Sequence, residues 1–81
     1  MRIRVKWFAG LREEMGSADT KLELTSGSTL QDLIDLMLER HGRLHRYAPS
    51  LHYAVNRSYA TPQTVLCDGD EVAFLPPVGG G

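Results

Sequence analysis

The sequence predicts an α+β fold: a mixed sheet of about four to five strands, one long helix packed across it, and a short helix after the first strand. Three observations carry that expectation. Apolar and polar residues alternate with a period of two near the start of the chain and again in short stretches of its second half. One segment between them repeats its apolar residues at helical spacing. And 81 residues allow a single core, because two would each bury too little apolar surface to offset the entropy of ordering the chain.

From residue 2 to residue 8, Ile3, Val5 and Trp7 alternate with Arg4, Lys6 and Phe8, which predicts a strand with the first set inward. Ala9 to Met15 holds good helix formers and no β-branched residue and then meets Gly16, a suitable left-handed stop. Leu22 and Leu24 between Lys21, Glu23 and Thr25 predict a second strand, closed by Ser26-Gly27 and paired antiparallel with the first. From Ser28 to about His41, Leu30, Leu33, Ile34 and Met37 recur at i, i+3, i+4 and i+7. Ser28 and Gln31 fit a capping box and Gly42 fits the stop. Residues 43–50 read as a loop. Leu51, Tyr53 and Val55 predict a third strand ending at a turn over Asn56-Arg57-Ser58. A short strand is expected over Val65 to Cys67. After the Asp68-Gly69-Asp70 turn comes the last strand, Glu71 to Leu75, ended by Pro76 and Pro77, which remove two successive donors. The expected organisation is one domain over residues 1–77 and a flexible glycine tail over residues 78–81.

Composition excludes several functions. Nine basic against ten acidic side chains give a formal charge of −1, so no overall field favours nucleic acid or an anionic membrane. The lone cysteine, Cys67, cannot close an internal disulfide or supply the roughly four ligands of an iron–sulfur cluster, which excludes a ferredoxin. No stretch approaches the roughly 18 apolar residues of a membrane span, and the expected compartment is the cytoplasm. His41 and His45 have the i, i+4 spacing of helical metal ligands, but Gly42 interrupts that helix and no further ligand completes the set, so no metal is expected. Arg2, Arg4, Lys6, Arg43 and Arg46 read as solvated charges that would steer a protein partner.

The chemically distinctive part is the end, Gly79-Gly80-Gly81 after Phe74-Leu75-Pro76-Pro77-Val78. Prolines favour an extended exit from the sheet, and glycines present backbone without side chains, a shape suited to threading a narrow channel in another protein. The group such a tip offers is an α-carboxylate, ionised at neutral pH and unreactive until activated. Transfer of AMP from ATP would make it a mixed anhydride open to a sulfur nucleophile. No phosphate-binding glycine loop is present to do this, so ATP and a persulfide sulfur donor belong to activating partners and no cofactor is bound.

The stretches VKWFAGLREEMG and AVNRSYATPQTVLCDGDEVAFLPPVGGG, with the helix between them, resemble the small subunit of molybdopterin synthase over nearly the whole chain. DGDEVAFLPPVGGG is the most specific part. The resemblance implies a β-grasp, ubiquitin-like fold and a sulfur carrier that is not itself an enzyme. Gly81, with Gly80 giving access to it, would bear the acyl-adenylate and then a thiocarboxylate. Its sulfur would pass to cyclic pyranopterin monophosphate on the large synthase subunit, in an expected heterotetramer. A ubiquitin-activating-like adenylyltransferase would be the second partner. Phe8, Arg12, Phe74, Leu75, Pro76, Pro77, Val78 and Gly79 fall where the family presents its docking surface and tail. On the residues' own pattern, Val72 and Phe74 alternate with Ala73 and Leu75, and one helix covers one sheet face, so one set is left for a partner. The alternation alone does not distinguish the two sets. The competing readings are a ubiquitin-like modifier joined to lysines and a sibling carrier serving thiamine, cysteine or tRNA thiolation.

Overall fold

A computed structural model describes residues 1–8 and 10–76. Strands β1 (Arg2–Trp7), β2 (Asp19–Glu23), β3 (His52–Val55), β4 (Ser58–Tyr59) and β5 (Glu71–Leu75) form one mixed sheet in the order β2-β1-β5-β3-β4. The first and last strands are thus central neighbours. They pair in parallel, Val5 with Val72 and Trp7 with Phe74, while the other pairings are antiparallel. Helices α1 (Gly10–Met15) and α2 (Leu30–Arg40) complete the frame. The fold is the expected α+β β-grasp, with the long helix across the sheet and the short one after β1.

Residues paired across a sheet share a face, so the register sorts the side chains. Ile3, Val5, Trp7, Val72 and Phe74 are buried on the inner face, where α2 covers them with Leu30, Leu33, Ile34 and Met37. Trp7 and Phe74 meet at 4.9 Å between ring centroids, and Tyr53 stands edge-on to Phe74 at 5.1 Å. The Trp7 indole N–H donates to the Thr20 hydroxyl at 3.0 Å, so the largest core side chain leaves no orphaned donor. Burial raises the pKa of the Tyr53 phenol above its ordinary value.

The structure revises four local expectations. Thr29, not Ser28, caps α2: its hydroxyl accepts from the Asp32 N–H at 3.3 Å, and the Asp32 carboxylate accepts from the Thr29 N–H at 2.9 Å. Asp32 carries negative charge at the helix's positive end, which Gln31 does not. Gln31 instead donates to Asp35, one turn on, and the Ser28 hydroxyl donates to the Thr25 carbonyl. Second, residues 42–50 form two 3₁₀ turns, Gly42–Arg46 and Ala48–Ser50, the first of which plugs the core with buried Leu44. Third, Val65 to Cys67 is no strand of the sheet. The segment lies against the start of α2, where the Leu30 N–H donates to the Thr64 carbonyl and the Leu66 N–H to the Ser28 carbonyl. Fourth, Asn56 and Arg57 alone form the turn after β3, and Ser58–Tyr59 returns as β4.

Among the described residues one polar side chain, that of Asp70, is buried with the core. Asp70, immediately before β5, accepts from the Cys67 N–H and from the Asn56 side-chain amide, both at 2.8 Å. The Asn56 side-chain carbonyl in turn accepts from the Glu71 N–H at 3.0 Å. Removing that carboxylate strands two donors, so Asp70→Ala is expected to cost about 2 kcal/mol of stability. Urea denaturation of the two proteins measures the difference.

Candidate functional site

The face of the sheet turned away from α2 holds the second set of every strand. Lys6, Glu71, Ala73, Leu75, His52, Ala54 and Tyr59 lie on it by register. Lys6, Ala54, Tyr59, Glu71, Ala73 and Leu75, with Phe8 and Arg57, line a shallow groove of ≈ 370 Å³ that runs along β5 from the Asn56-Arg57 turn beside Glu71 to Phe8 and Leu75 next to Pro76. Ala54 and Ala73 are a directly paired couple of small residues, which makes the floor low. Phe8, 39% exposed, Tyr59, 80% exposed, and half-buried Leu75 offer the apolar contact area. Large apolar side chains left in water around a small-residue floor are characteristic of a surface that takes a protein partner. Lys6 and Glu71 face each other across β1 and β5 at 3.9 Å, which leaves their charges largely compensated.

The sequence-derived residues separate here. Phe8 and Leu75 line the groove and Pro76 follows directly from it. Arg12 is exposed on α1 but does not line the groove. Phe74 is a correction: at 0% exposure it belongs to the core, because its register with Trp7 and Tyr53 turns it toward α2. The expectations for Pro77, Val78, Gly79, Gly80 and Gly81, and for Ala9, fall outside the described residues. Sequence reasoning missed Tyr59, Arg57 and Ala54, and it held Ala73 with Leu75 as one of two alternative sets, the one the register turns outward. A two-residue turn at Asn56-Arg57 would have placed Tyr59 opposite Ala54, and that register was the available signal.

A larger hollow of ≈ 470 Å³ opens at the far end of β1 and β2, lined by Arg2, Arg4, Lys21 and Glu23 among others. β1 and β5 are parallel, so this hollow lies at the opposite end of the sheet from Pro76. Among the described residues no group of three or more His, Cys, Asp or Glu side chains is placed to hold a metal ion. His41 ends α2 with its ring edge-on to Trp7 at 5.8 Å, while His45 belongs to the following 3₁₀ turn. No helix among the described residues is long and apolar enough to cross a membrane.

A mixed five-stranded sheet with its first and last strands paired in parallel and one long helix across a single face places the chain among the ubiquitin-like β-grasp proteins. The chain belongs to the ThiS family, whose pattern it matches over residues 5–81. It is 37% identical to the molybdopterin synthase sulfur carrier subunit of Chlamydomonas reinhardtii, with all of both chains covered. Among solved structures it is similar to the small archaeal modifier protein 1 of Haloferax volcanii, with a TM-score of 0.87, 27% identity and both chains covered completely. It also resembles a chain in the complex of subunits 1 and 2 of the molybdopterin-converting factor of Helicobacter pylori, with a TM-score of 0.77, 26% identity and complete coverage of both chains.

The division between core and groove has a direct readout. Phe74→Ala is expected to cost about 3–5 kcal/mol by opening a core cavity, whereas Leu75→Ala, one residue on and outward, is expected to cost about 1 kcal/mol or less. Paired denaturation curves of the two variants measure both.

Proposed function

We propose that this protein is the sulfur-carrier subunit of a molybdopterin synthase and that Gly81 is its reacting end. The observation that supports this reading is the position of the groove: the surface that would hold a partner adjoins the residue from which the tail departs. A partner seated there receives Gly80 and Gly81 into its own active site, with Pro77, Val78 and Gly79 joining them to Pro76 at the groove's end. The chain supplies the travelling acyl group and the partners supply the catalysis.

The chemistry follows from the carboxylate. An adenylyltransferase of the ubiquitin-activating kind joins the Gly81 carboxylate to AMP and releases pyrophosphate. The terminal sulfur of a persulfide attacks the acyl carbon and expels AMP, giving an acyl disulfide. A thiol of the activating partners then attacks the donor's sulfur in the sulfur–sulfur bond, forming a disulfide with the donor and releasing the thiocarboxylate. On the large subunit the thiocarboxylate delivers sulfur to cyclic pyranopterin monophosphate, and hydrolysis returns the Gly81 carboxylate. ATP and the persulfide donor stay with the partners, and the small subunit binds no cofactor. The Helicobacter pylori complex supports a large-subunit partner, and a heterotetramer in the cytoplasm is the assembly we assign.

Deleting Gly81 is expected to abolish sulfur transfer and leave the circular dichroism spectrum unchanged. Normal molybdopterin formation by the truncated chain with the large subunit in vitro would overturn the reading. Intact-protein mass spectrometry of the chain isolated from its own cells gives an independent check: one terminal oxygen replaced by sulfur supports a carrier, and isopeptide adducts on lysine in its place identify a protein modifier.

A further inference from the structure

We infer that Arg57 is a docking anchor, pairing its guanidinium with a carboxylate on the large synthase subunit. The inference rests on the reading of the groove as the docking face for that subunit and adds to it a residue, a charge and a partner chemistry.

The first observation is conformational. Asn56 and Arg57 form the turn between β3 and β4, with φ of +51° and +72°. A two-residue hairpin turn with both φ positive favours Asn followed by Gly, since glycine has no Cβ to clash in the left-handed region. Asparagine tolerates that region, but arginine is held there at a conformational cost.

The second observation is what holds the turn. The Asn56 N–H donates to the Glu71 carbonyl at 2.8 Å, and its side chain bridges the Glu71 N–H and the buried Asp70 carboxylate. Backbone strain persists where its surroundings over-determine it, and such places collect at sites that grip a ligand. Arg57 therefore projects from a rigid base, which lowers the ordering cost of any contact it makes.

The third observation is electrostatic. Arg57 is exposed and lines the groove beside Tyr59, whereas Lys6 and Glu71 offset each other. Among the described residues Arg57 forms no ion pair, so it is the uncompensated charge of the groove. One cation on a chain of formal charge −1 is a poor match for nucleic acid, whose affinity needs several phosphate contacts. Flanked by aromatic and aliphatic surface, it matches a single carboxylate at an interface, where the planar fork gives two parallel hydrogen bonds.

The test measures binding of the separately purified large subunit of the same organism by calorimetry, together with thermal melts of each small-subunit variant. Arg57→Gly is expected to melt at or above the wild-type temperature, by up to about 4 °C. It is also expected to bind about 10-fold more weakly and to lose most of the wild-type salt dependence between about 50 and 500 mM. Arg57→Glu should bind more weakly still. Wild-type affinity of Arg57→Gly at low salt overturns the proposal, and a lowered melting temperature overturns it as well by giving the side chain a structural role. Tyr59→Asp separates this from the underlying reading. If it abolishes binding while the Arg57 variants bind normally, the groove stands and the anchor falls. If it too binds at wild-type strength, both fall.

Discussion

The parallel pairing of β1 with β5 is the constraint on which the rest of the molecule depends. It joins the first and last strands at the centre of the sheet, so neither end of the described chain can be displaced without opening the core. Trp7 and Phe74 are register partners and ring neighbours, and α2 closes over them. A parallel pair needs a long connection, and here everything between β1 and β5 serves as that connection. Its pieces fill space the sheet leaves open: α2 on the inner face, Leu44 and Leu66 at the margins, β2 and β3–β4 along the two flanks. The same pairing directs β5 outward at the end of the sheet where Phe8 stands exposed.

Much of this is legible in the amino-acid sequence, and the legible parts share a cause. The alternation of Ile3, Val5 and Trp7 and the i, i+3, i+4, i+7 spacing in α2 are set by burial on one side, which writes itself directly into residue type. Ser28 and Thr29 both qualify as caps of α2 by residue type, and the group that decides for Thr29, Asp32, acts through charge as well as hydrogen bonding. Val65 to Cys67 looked like a strand because Leu66 is buried, but its bonds go to the beginning of a helix, a tertiary choice with no local signature. In the last strand apolar residues fill both faces, so periodicity alone was silent on whether Phe74 or Leu75 met a partner. Register with Trp7 and Tyr53 decides it, and register is a property of three strands together. Tyr59 was missed for the same reason.

Asp70 shows how local polar bonding and function-bearing surface are joined. Its carboxylate links the turn before β5 to the turn after β3 through Asn56, so two loops distant in sequence act as one rigid corner. That corner sets the start of β5 and therefore the register that sends Phe74 inward and Leu75 outward. It also holds the turn that carries Arg57 at the wall of the groove. A buried carboxylate with all its bonds made is a costly residue to place, and its return is specificity of arrangement rather than bulk stability.

A domain of this size with one long helix faces an inequality it cannot escape: its sheet has two faces and its helix covers one. The residues on the bare side must then either be made polar throughout or be given a partner. This chain does both along a gradient. At the end of β1 marked by Arg2 and Arg4 the bare face is charged and paired with Lys21 and Glu23 of β2. Toward Phe8 and Leu75 it becomes apolar, while Glu71, in register with Arg4, and Arg57, on the turn beside Glu71, stay on the charged side. Apolar surface concentrated at one end, against a charged remainder, orients a partner as well as attracting it. Because β5 leaves the sheet at that same end, a partner positioned by the groove also stands where the chain continues past Pro76. The seat of a partner and the exit of the last strand are thereby coupled by the geometry of β5 alone.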